Sequence, residues 1–170
     1  MRARYDRFME AKRNTKSIGD ASEATMIGIL VRAGCLVSIP FGENHRYDLV
    51  AEIGGALKRI QVKTGRLRKG VVLFNCCSTH GHRGHPNRPY TGNEIDYYGV
   101  FCPELGSAYL VPIAAVRATT VGSLRVEPTT NGQAKHLLWG SPYEIMAPGF
   151  GPVGLAAGLG VLPQAPELPL

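Results

Sequence analysis

Long apolar runs are missing from this 170-residue chain, and so are the common nucleotide-binding fingerprints. No stretch approaches the roughly 20 apolar residues that a membrane-spanning helix needs, and the N-terminus has no apolar segment of the secretory-signal type. Neither a P-loop nor a GxGxxG motif is present, and we find no internal repeats. The length suits one domain with a real core. Because neither a membrane-spanning nor a signal-type apolar segment is present, we expect a cytoplasmic protein with no membrane partner.

Paired cysteine motifs are also missing. The chain has no CxxC pair and only the cysteines Cys35, Cys76, Cys77 and Cys102. This usage fits reduced thiols in a cytosol better than a disulfide framework. Cys76 and Cys77 precede a group of histidines, but the spacing matches no common structural zinc pattern, and adjacent cysteines rarely bind one ion. The sequence therefore disfavours a zinc site.

Acidic residues are fewer than basic ones, with 13 Asp and Glu against 19 Lys and Arg and a net charge of +6. A basic balance favours a polyanionic partner, and the clustering of the charges says more than their total. Six basic residues fall within twelve positions: Lys58, Arg59, Lys63, Arg66, Arg68 and Lys69.

The most informative stretch is residues 46–63, where two alternating runs flank Gly54-Gly55. A Gly-Gly pair in this setting predicts a β-hairpin with a two-residue turn. Paired residue numbers then sum to 109, so that Asp48 lies opposite Gln61. Since side chains alternate between faces, Asp48, Gln61 and Lys63 share one small polar patch. The patch suits one ion and one water, although half-buried sheets commonly have a solvated polar face, and the hairpin alone leaves both readings open.

A helix is predicted from Ser17 to Ala33, with Gly34 at the C′ position that ends it. Its apolar residues lie on most sides, which indicates burial against a sheet. Glu23 interrupts this pattern in the middle of the helix, and a buried carboxylate needs a partner. Glu23 is therefore either a rim residue paired with a surface Lys or a carboxylate directed at the polar patch of the hairpin.

The rest of the chain predicts further strands and several loops. The expected strands are Cys35 to Pro40, Val71 to Cys77, Ile95 to Cys102, Ser107 to Val116 and Leu124 to Glu127. The polar segment 78–93 is either a basic loop that enters a DNA groove or a disordered one. Residues 1–16 form a basic arm that contacts phosphates or, as we favour, is a solvated extension. Residues 147–170 form a Pro/Gly-rich tail that is expected to be disordered or an oligomer contact.

Several of these segments together resemble the PD-(D/E)XK nuclease superfamily, and more closely its group I intron-associated homing endonucleases. Glu23 on a first helix, then Asp48, then Gln61-Val62-Lys63 are similar to the catalytic signature. Further similar segments, in the same order, are residues 14–23, 37–42, 46–49, 61–64, 94–97, 102–105 and 109–113. The short signature is weakly specific by itself, whereas these segments in this order are much more specific.

The resemblance implies an α/β (α+β) fold of the restriction-endonuclease type, with a mixed β-sheet flanked by helices over residues 17–146. It also implies hydrolysis of DNA phosphodiesters with a divalent ion. On this basis Asp48, the Gln61 amide oxygen and the Val62 carbonyl hold Mg²⁺, with Mn²⁺ as a substitute. Lys63 orients or activates the attacking water, and Glu23 acts through metal-bound water.

Two positions depart from the family pattern. Tyr47 stands where a Pro is usual, which is a loose feature. Gln61 stands where an acid is usual, so the site has one negative charge less and should bind the ion more weakly. Glutamine occurs here in the intron-associated group, and the resemblance therefore implies a variant site. Glu52 does not substitute, since four strand residues separate it from Asp48 by about 13 Å.

The expected partner is double-stranded DNA, bound by Arg46, Arg59, Arg66, Arg68, Lys69, Arg83 and Arg88. Cleavage of both strands with one site per chain implies a homodimer or homotetramer, associated with the nucleoid when bound to DNA. Two alternatives stay open at this point. One is a nuclease for branched DNA or for restriction-like cleavage on the same fold. The other is a catalytically silent DNA-binding protein, which Gln61 and the positive charge motivate.

Overall fold

The computed structural model describes residues 15–42, 45–78, 88–118, 120–129 and 137–145. Its helix α1, Thr15–Arg32, begins two residues before the expected start. Gly34 follows it with a φ of +86°. The N–H of Gly34 donates to Val31 O and the N–H of Cys35 donates to Leu30 O, each at 3.0 Å. This is a Schellman motif, which confirms the predicted C′ glycine.

Short strands make up most of the remaining regular structure. They are β1 (Val37–Ser38), β2 (Leu49–Ile53), β3 (Ala56–Thr64), β4 (Arg66–Arg68), β5 (Val71–Asn75), β6 (Cys77–Ser78), β7 (Arg88–Pro89), β8 (Tyr97–Cys102), β9 (Ser107–Pro112), β10 (Val121–Arg125) and β11 (Glu144–Ile145). The main sheet has the order β1-β2-β3-β8-β9-β11, and a second sheet has the order β10-β5-β4. The pair β3–β8 is parallel and the other neighbours in the main sheet are antiparallel. The mixed sheet expected from the sequence is therefore confirmed.

The hairpin β2–β3 has the predicted register. Leu49 lies opposite Ile60 and Ile53 lies opposite Ala56, so paired numbers sum to 109. Both turn glycines have positive φ, +60° and +75°, as a type I′ turn requires. Regular pairing stops before Asp48, whose N–H donates to Ile60 O at 2.9 Å. The polar patch is thus built where the ladder of β2 ends.

Two apolar cores lie on the two faces of the main sheet. Helix α1 covers one face, and its Met26 and Leu30 share a core with Leu49 and Ile60. The second sheet contributes to the other core, which combines Val72, Phe74 and Leu124 with Tyr98, Val100 and Val111 of the main sheet. Within the described residues this second face is covered by strands and not by another α-helix. The buried residues of β5, Val72 and Phe74, recur at every second position, the period of a strand.

Several predicted strands have different bounds in the structure. The strand expected to run from Ser107 to Val116 ends at Pro112 and continues as a 3-10 turn, Ile113–Ala115. Proline has no N–H for a ladder and so suits a strand end. The last predicted strand, Leu124 to Glu127, begins earlier, at Val121.

The predictions for the terminal arm and tail fall largely on residues 1–14 and 146–170, outside the described residues. Arg83 and the histidines of segment 78–93 also fall outside them. At the two ends of that segment β6 pairs with β7, with Ser78 opposite Arg88. No helix in the described ranges is long and apolar enough to cross a membrane.

Candidate active site

The carboxylate of Asp48 lies against the end of β3 that carries the polar patch. Its Oδ2 accepts hydrogen bonds from the Gln61 Nε2 at 2.5 Å and from the Val62 N–H at 2.7 Å. The pairing of β2 with β3 ends at Leu49 and Ile60, so the Val62 N–H has the Asp48 side chain as its acceptor instead of a backbone carbonyl of β2. Among the described residues the hydrogen bonds to this carboxylate all go to Oδ2, which leaves Oδ1 for another ligand.

The charge of Asp48 acts on Glu23. Burial raises the pKa of Asp48, while the Val62 N–H, the Lys63 ammonium and the Gln61 amide lower it. Burial also raises the pKa of Glu23, and the nearby charges of Asp48 and Asp20 raise it further. A carboxylate whose ionisation is disfavoured by other carboxylates lies in a local excess of negative charge. This proximity supports the reading in which Glu23 is directed at the polar patch, and the ion pairs of the described residues do not include Glu23.

The position of Glu23 is set by its neighbour in the helix. Ser22 is buried, and its Oγ forms a 2.7 Å hydrogen bond with the Thr64 Oγ1. The same Oγ donates to Ile18 O at 3.0 Å. Thr64 directly follows Lys63, so this contact ties the helix residue beside Glu23 to the strand residue beside Lys63.

Lys63 completes the patch. Burial lowers the pKa of Lys63, while the charge of Asp48 raises it. The Lys63 Nζ donates to the hydroxyl oxygen of Tyr90 at 3.2 Å. Tyr90 did not emerge from the sequence as a site residue. It lies 27 positions beyond Lys63, directly after β7, and no local spacing joins the two.

Arg46, predicted to contact DNA, is engaged inside the protein. Its Nε donates to Glu94 Oε1 at 3.1 Å, and its Nη1 donates to Ser78 Oγ at 2.7 Å. The guanidinium also lies 4.2 Å from the centre of the Tyr90 ring. Glu94 is a second residue that sequence reasoning did not place in the site, although it begins the similar segment 94–97. Arg46 thus links the entry of the hairpin to the strand pair β6–β7.

Arg59 is similarly paired with a carboxylate. Its Nε donates to Asp96 Oδ2 at 3.0 Å and its Nη2 donates to Asp96 Oδ1 at 3.1 Å. The Arg59 side chain holds the pKa of the Asp96 carboxyl below its usual range, mainly through these hydrogen bonds. The backbone N–H of Arg59 donates to the same carboxylate at 2.7 Å. This pair joins β3 to the residue that precedes β8.

The other predicted DNA contacts lie towards the surface. Arg66 pairs with Leu73 of β5, which pairs with Ser123 of β10, and Arg68 pairs with Val71, which pairs with Arg125. The alternate residues of β5 and β10 face the core, so both arginines lie on the outer face of this sheet. Lys69 is exposed in the tight turn between β4 and β5, with a φ of +49°.

Arg88 is also exposed, and it donates from Nη2 to Glu94 Oε1 at 2.5 Å.

A cleft of about 390 Å³ lies between the start of α1 and the second sheet. Thr64 and Arg66 line it, so it adjoins the strand that carries Lys63.

The donor atoms of the patch suit a divalent cation. Carboxylate, amide and carbonyl oxygens are hard ligands of the kind that Mg²⁺ takes, commonly with one or two carboxylates and several waters. Asp48 and Glu23 would be the two carboxylates, and the Gln61 amide and the Val62 carbonyl, which accepts from the Gln61 Nε2 at 3.4 Å, would be the neutral oxygens. Across the described ranges no group of three or more His, Cys, Asp or Glu is placed to hold a metal. The chemistry of these oxygen donors therefore fits a divalent cation.

Comparison with known proteins gives a family and a fold. A profile of the PD-(D/E)XK endonuclease family matches residues 13–146. The structure of a bacterial homing endonuclease, I-Ssp6803I, is similar, with a TM-score of 0.62 and 24% sequence identity over 77% of this chain and 88% of that chain. No curated protein gives a significant match. At this identity the solved structure shows a shared fold, in agreement with the mixed sheet and covering helix described above.

Proposed function

Since this chain belongs to the PD-(D/E)XK endonuclease family, we propose that it cleaves both strands of duplex DNA at a specific site, as a homing endonuclease does. One observation carries the proposal. The carboxylate of Asp48, the amide of Gln61 and the ammonium of Lys63 converge at the end of one hairpin, beside Glu23. Oxygen ligands for a cation and a nearby positive charge are what phosphodiester hydrolysis requires.

Nucleases of this family use divalent metals, and we propose Mg²⁺ here, with Mn²⁺ as a substitute. Asp48, Gln61 and the Val62 carbonyl would bind the ion, and Glu23 would contact it through water. When bound, the ion lowers the pKa of a coordinated water and polarises the scissile phosphate. Lys63 orients the attacking water and offsets the negative charge that develops on the phosphate. Gln61 holds the carboxylate of Asp48 in place through its Nε2.

The outer face of the second sheet is the proposed DNA-binding surface. Arg66 and Arg68 are exposed there, two positions apart on the same strand, and Lys69 extends the charge to the tip of the hairpin β4–β5. A two-stranded ribbon fits the major groove, and exposed arginines bind phosphates as well as guanine edges.

Four further arginines complete the proposed DNA contacts. Arg83 precedes β7 in the sequence and Arg88 is in β7, where its exposed side chain can meet a phosphate. Arg46 and Arg59 would approach DNA while bound to Glu94 and Asp96. Such a carboxylate partner holds the guanidinium in place before DNA arrives.

A homodimer or homotetramer is proposed because one chain supplies one site for two strands. Exposed apolar side chains around the edge strand β1 support it. Leu36, directly before β1, accepts from the Glu52 N–H, and Leu57 pairs with Glu52 from the other side. The two leucines are 73% and 75% exposed. Phe41 is fully exposed after β1. Light scattering during gel filtration tests this, since Leu57→Glu should shift the protein towards monomer and Leu137→Glu should not.

The central test is cleavage of a diverse linear DNA library in Mg²⁺ or in EDTA. Discrete products that need Mg²⁺ and disappear in both Asp48→Ala and Lys63→Ala are expected. Their ends would give the recognised site, and a four-way junction cut faster than linear duplex would contradict the homing assignment. With DNA as its substrate, the protein is expected to act in the cytoplasm, at the nucleoid.

A second candidate is a DNA-binding protein that does not cleave. The hydrogen bond from Gln61 to Asp48 favours it, because the site has one carboxylate less than the family pattern. This candidate predicts salt-dependent DNA binding with no product at any Mg²⁺ or Mn²⁺ concentration. The library experiment separates the two functions directly.

A further inference from the structure

The Tyr90 side chain lies against Lys63, where the main sheet meets the strand pair β6–β7. The Lys63 Nζ lies 3.2 Å from the Tyr90 hydroxyl oxygen and 4.8 Å from the centre of the ring. Within the part of the chain that the structure describes, this is the hydrogen bond that holds the ammonium group. A lysine side chain is long and flexible, so a single such contact decides where its charge lies.

The Tyr90 ring is itself held from two sides. The Arg46 Cζ lies 4.2 Å from the ring centre, and the Tyr98 ring meets the ring at 84° with centres 6.0 Å apart. Arg46 is bound to Glu94 and Ser78, so its guanidinium is fixed as well. Burial raises the pKa of Tyr90 to about 12. The phenol therefore stays neutral at neutral pH, and its oxygen accepts from the ammonium group.

We propose that Tyr90 is a positioning residue for Lys63. Its hydroxyl sets the place of the ammonium group, and Arg46 fixes the ring that carries this hydroxyl. The inference rests on the proposed function, because the placement matters to cleavage only where Lys63 acts on the water or the phosphate. It also gives Arg46 a role within the site, in addition to the predicted DNA contact.

Removal of one oxygen atom tests the effect on cleavage. Tyr90→Phe keeps the ring and should slow single-turnover cleavage of the duplex library in Mg²⁺ by roughly 10- to 100-fold, the loss expected for a hydrogen bond to a charged group. The Kd for the same DNA in EDTA should not change. Tyr97→Phe is the matched control, since Tyr97 is half-buried on the face of β8 that packs towards α1, away from Tyr90. It should cleave as the unmodified protein does.

A double-mutant cycle separates positioning from a general structural effect. Lys63→Ala gives no products in the library assay, so its residual rate is measured in single turnover with protein in large excess and long incubation. In this background Tyr90→Phe should cause no further loss of that rate, because the group that it positions is gone. An unchanged rate in Tyr90→Phe alone overturns the proposal. The same fractional loss with and without Lys63 also overturns it.

Nuclear magnetic resonance of lysine-labelled protein in EDTA tests the contact without cleavage. The Lys63 ε-methylene signal, identified by its absence in Lys63→Arg, should be displaced by the aromatic ring. It should move towards the other lysine signals in Tyr90→Leu, and a signal that does not move overturns the proposal. If the unmodified protein cleaves no DNA while this signal moves, the Tyr90 contact stands and the proposed function fails.

Discussion

Gln61 donates a hydrogen bond to Asp48 in the position where the family pattern has an acid. The Gln61 Nε2 lies 2.5 Å from the Asp48 Oδ2, and an ionised acid there would repel that oxygen. Gln61 therefore places a hydrogen-bond donor to Asp48 where the family pattern has a negative charge, and this donor stabilises the metal-free site. Both carboxylates of the patch already have raised pKa values, mainly through burial, and a third negative charge would raise them further.

Gln61→Glu should therefore strengthen ion binding and destabilise the protein without the ion. We expect half-maximal cleavage at roughly tenfold lower Mg²⁺, equivalent to about 1.4 kcal/mol of binding free energy. The melting temperature in EDTA should fall at mildly alkaline pH and recover when Mg²⁺ is added. Asn75→Asp is the control, since it adds the same charge on an exposed residue of β5. An unchanged Mg²⁺ requirement in Gln61→Glu would show that position 61 does not contribute to the ion site.

The sequence could predict the features that depend on neighbours along the chain. The alternation of apolar and polar residues and the Gly54-Gly55 turn determine the hairpin register. The position of Gly34 at the end of the apolar helical segment predicts the Schellman motif that ends α1. These features need no knowledge of distant segments. For the same reason Asp48 and Gln61 could be placed together before the fold was known.

The remaining features depend on contacts between distant segments. Tyr90 reaches Lys63 only because β6 and β7 pair and bring residue 90 back to the sheet. Strand β10 begins at Val121, three residues before the predicted Leu124, and so includes Gly122. In the structure the Phe74 ring occupies the space that a side chain at Gly122 would need. The glycine is thus required by packing between strands, which one segment of sequence does not reveal.

Asp48→Asn should stabilise the metal-free protein at neutral pH while abolishing cleavage. Burial raises the folded-state pKa of Asp48 above its usual value near 3.8. A carboxyl with a raised folded-state pKa favours the fold below its unfolded pKa, and this contribution is lost as the pH rises through the folded value. The amide that replaces the carboxyl has no such charge, so the stability gain over the unmodified protein should grow as the pH rises from about 3 to 7.

Urea unfolding in EDTA at several pH values measures this difference. Glu52→Gln is the control, since Glu52 is exposed on β2 and the change removes the same charge from solvent. A difference between Asp48→Asn and the unmodified protein that does not vary with pH would contradict the expectation. Loss of stability at neutral pH would indicate that the hydrogen bonds to Oδ2 outweigh the burial of the charge.

Ser22→Ala should destabilise the protein by about 1–2 kcal/mol, because the Thr64 hydroxyl then loses its partner at a part-buried position. Urea unfolding gives the change in free energy. The loss in Ser22→Ala/Thr64→Val should be smaller than the sum of the two single losses, since each single change breaks the same hydrogen bond. Ser17→Ala, on an exposed residue of the first turn of α1, should cost much less. Additive losses would show that the two hydroxyls do not stabilise each other.

Arg66→Ala and Arg68→Ala should each weaken DNA binding without a change in stability. Each arginine lies on the outer face of the second sheet, where a phosphate contact releases counterions from DNA. Loss of one such contact lowers the slope of log K against log salt by about 1. Fluorescence anisotropy of a labelled duplex in EDTA, from about 50 to 200 mM salt, measures both affinity and slope. Arg117→Ala is the control, since it removes an exposed arginine after β9, and it should leave the slope unchanged. An equal effect in all three variants would mean that DNA binding depends on the net charge of the protein and not on this sheet.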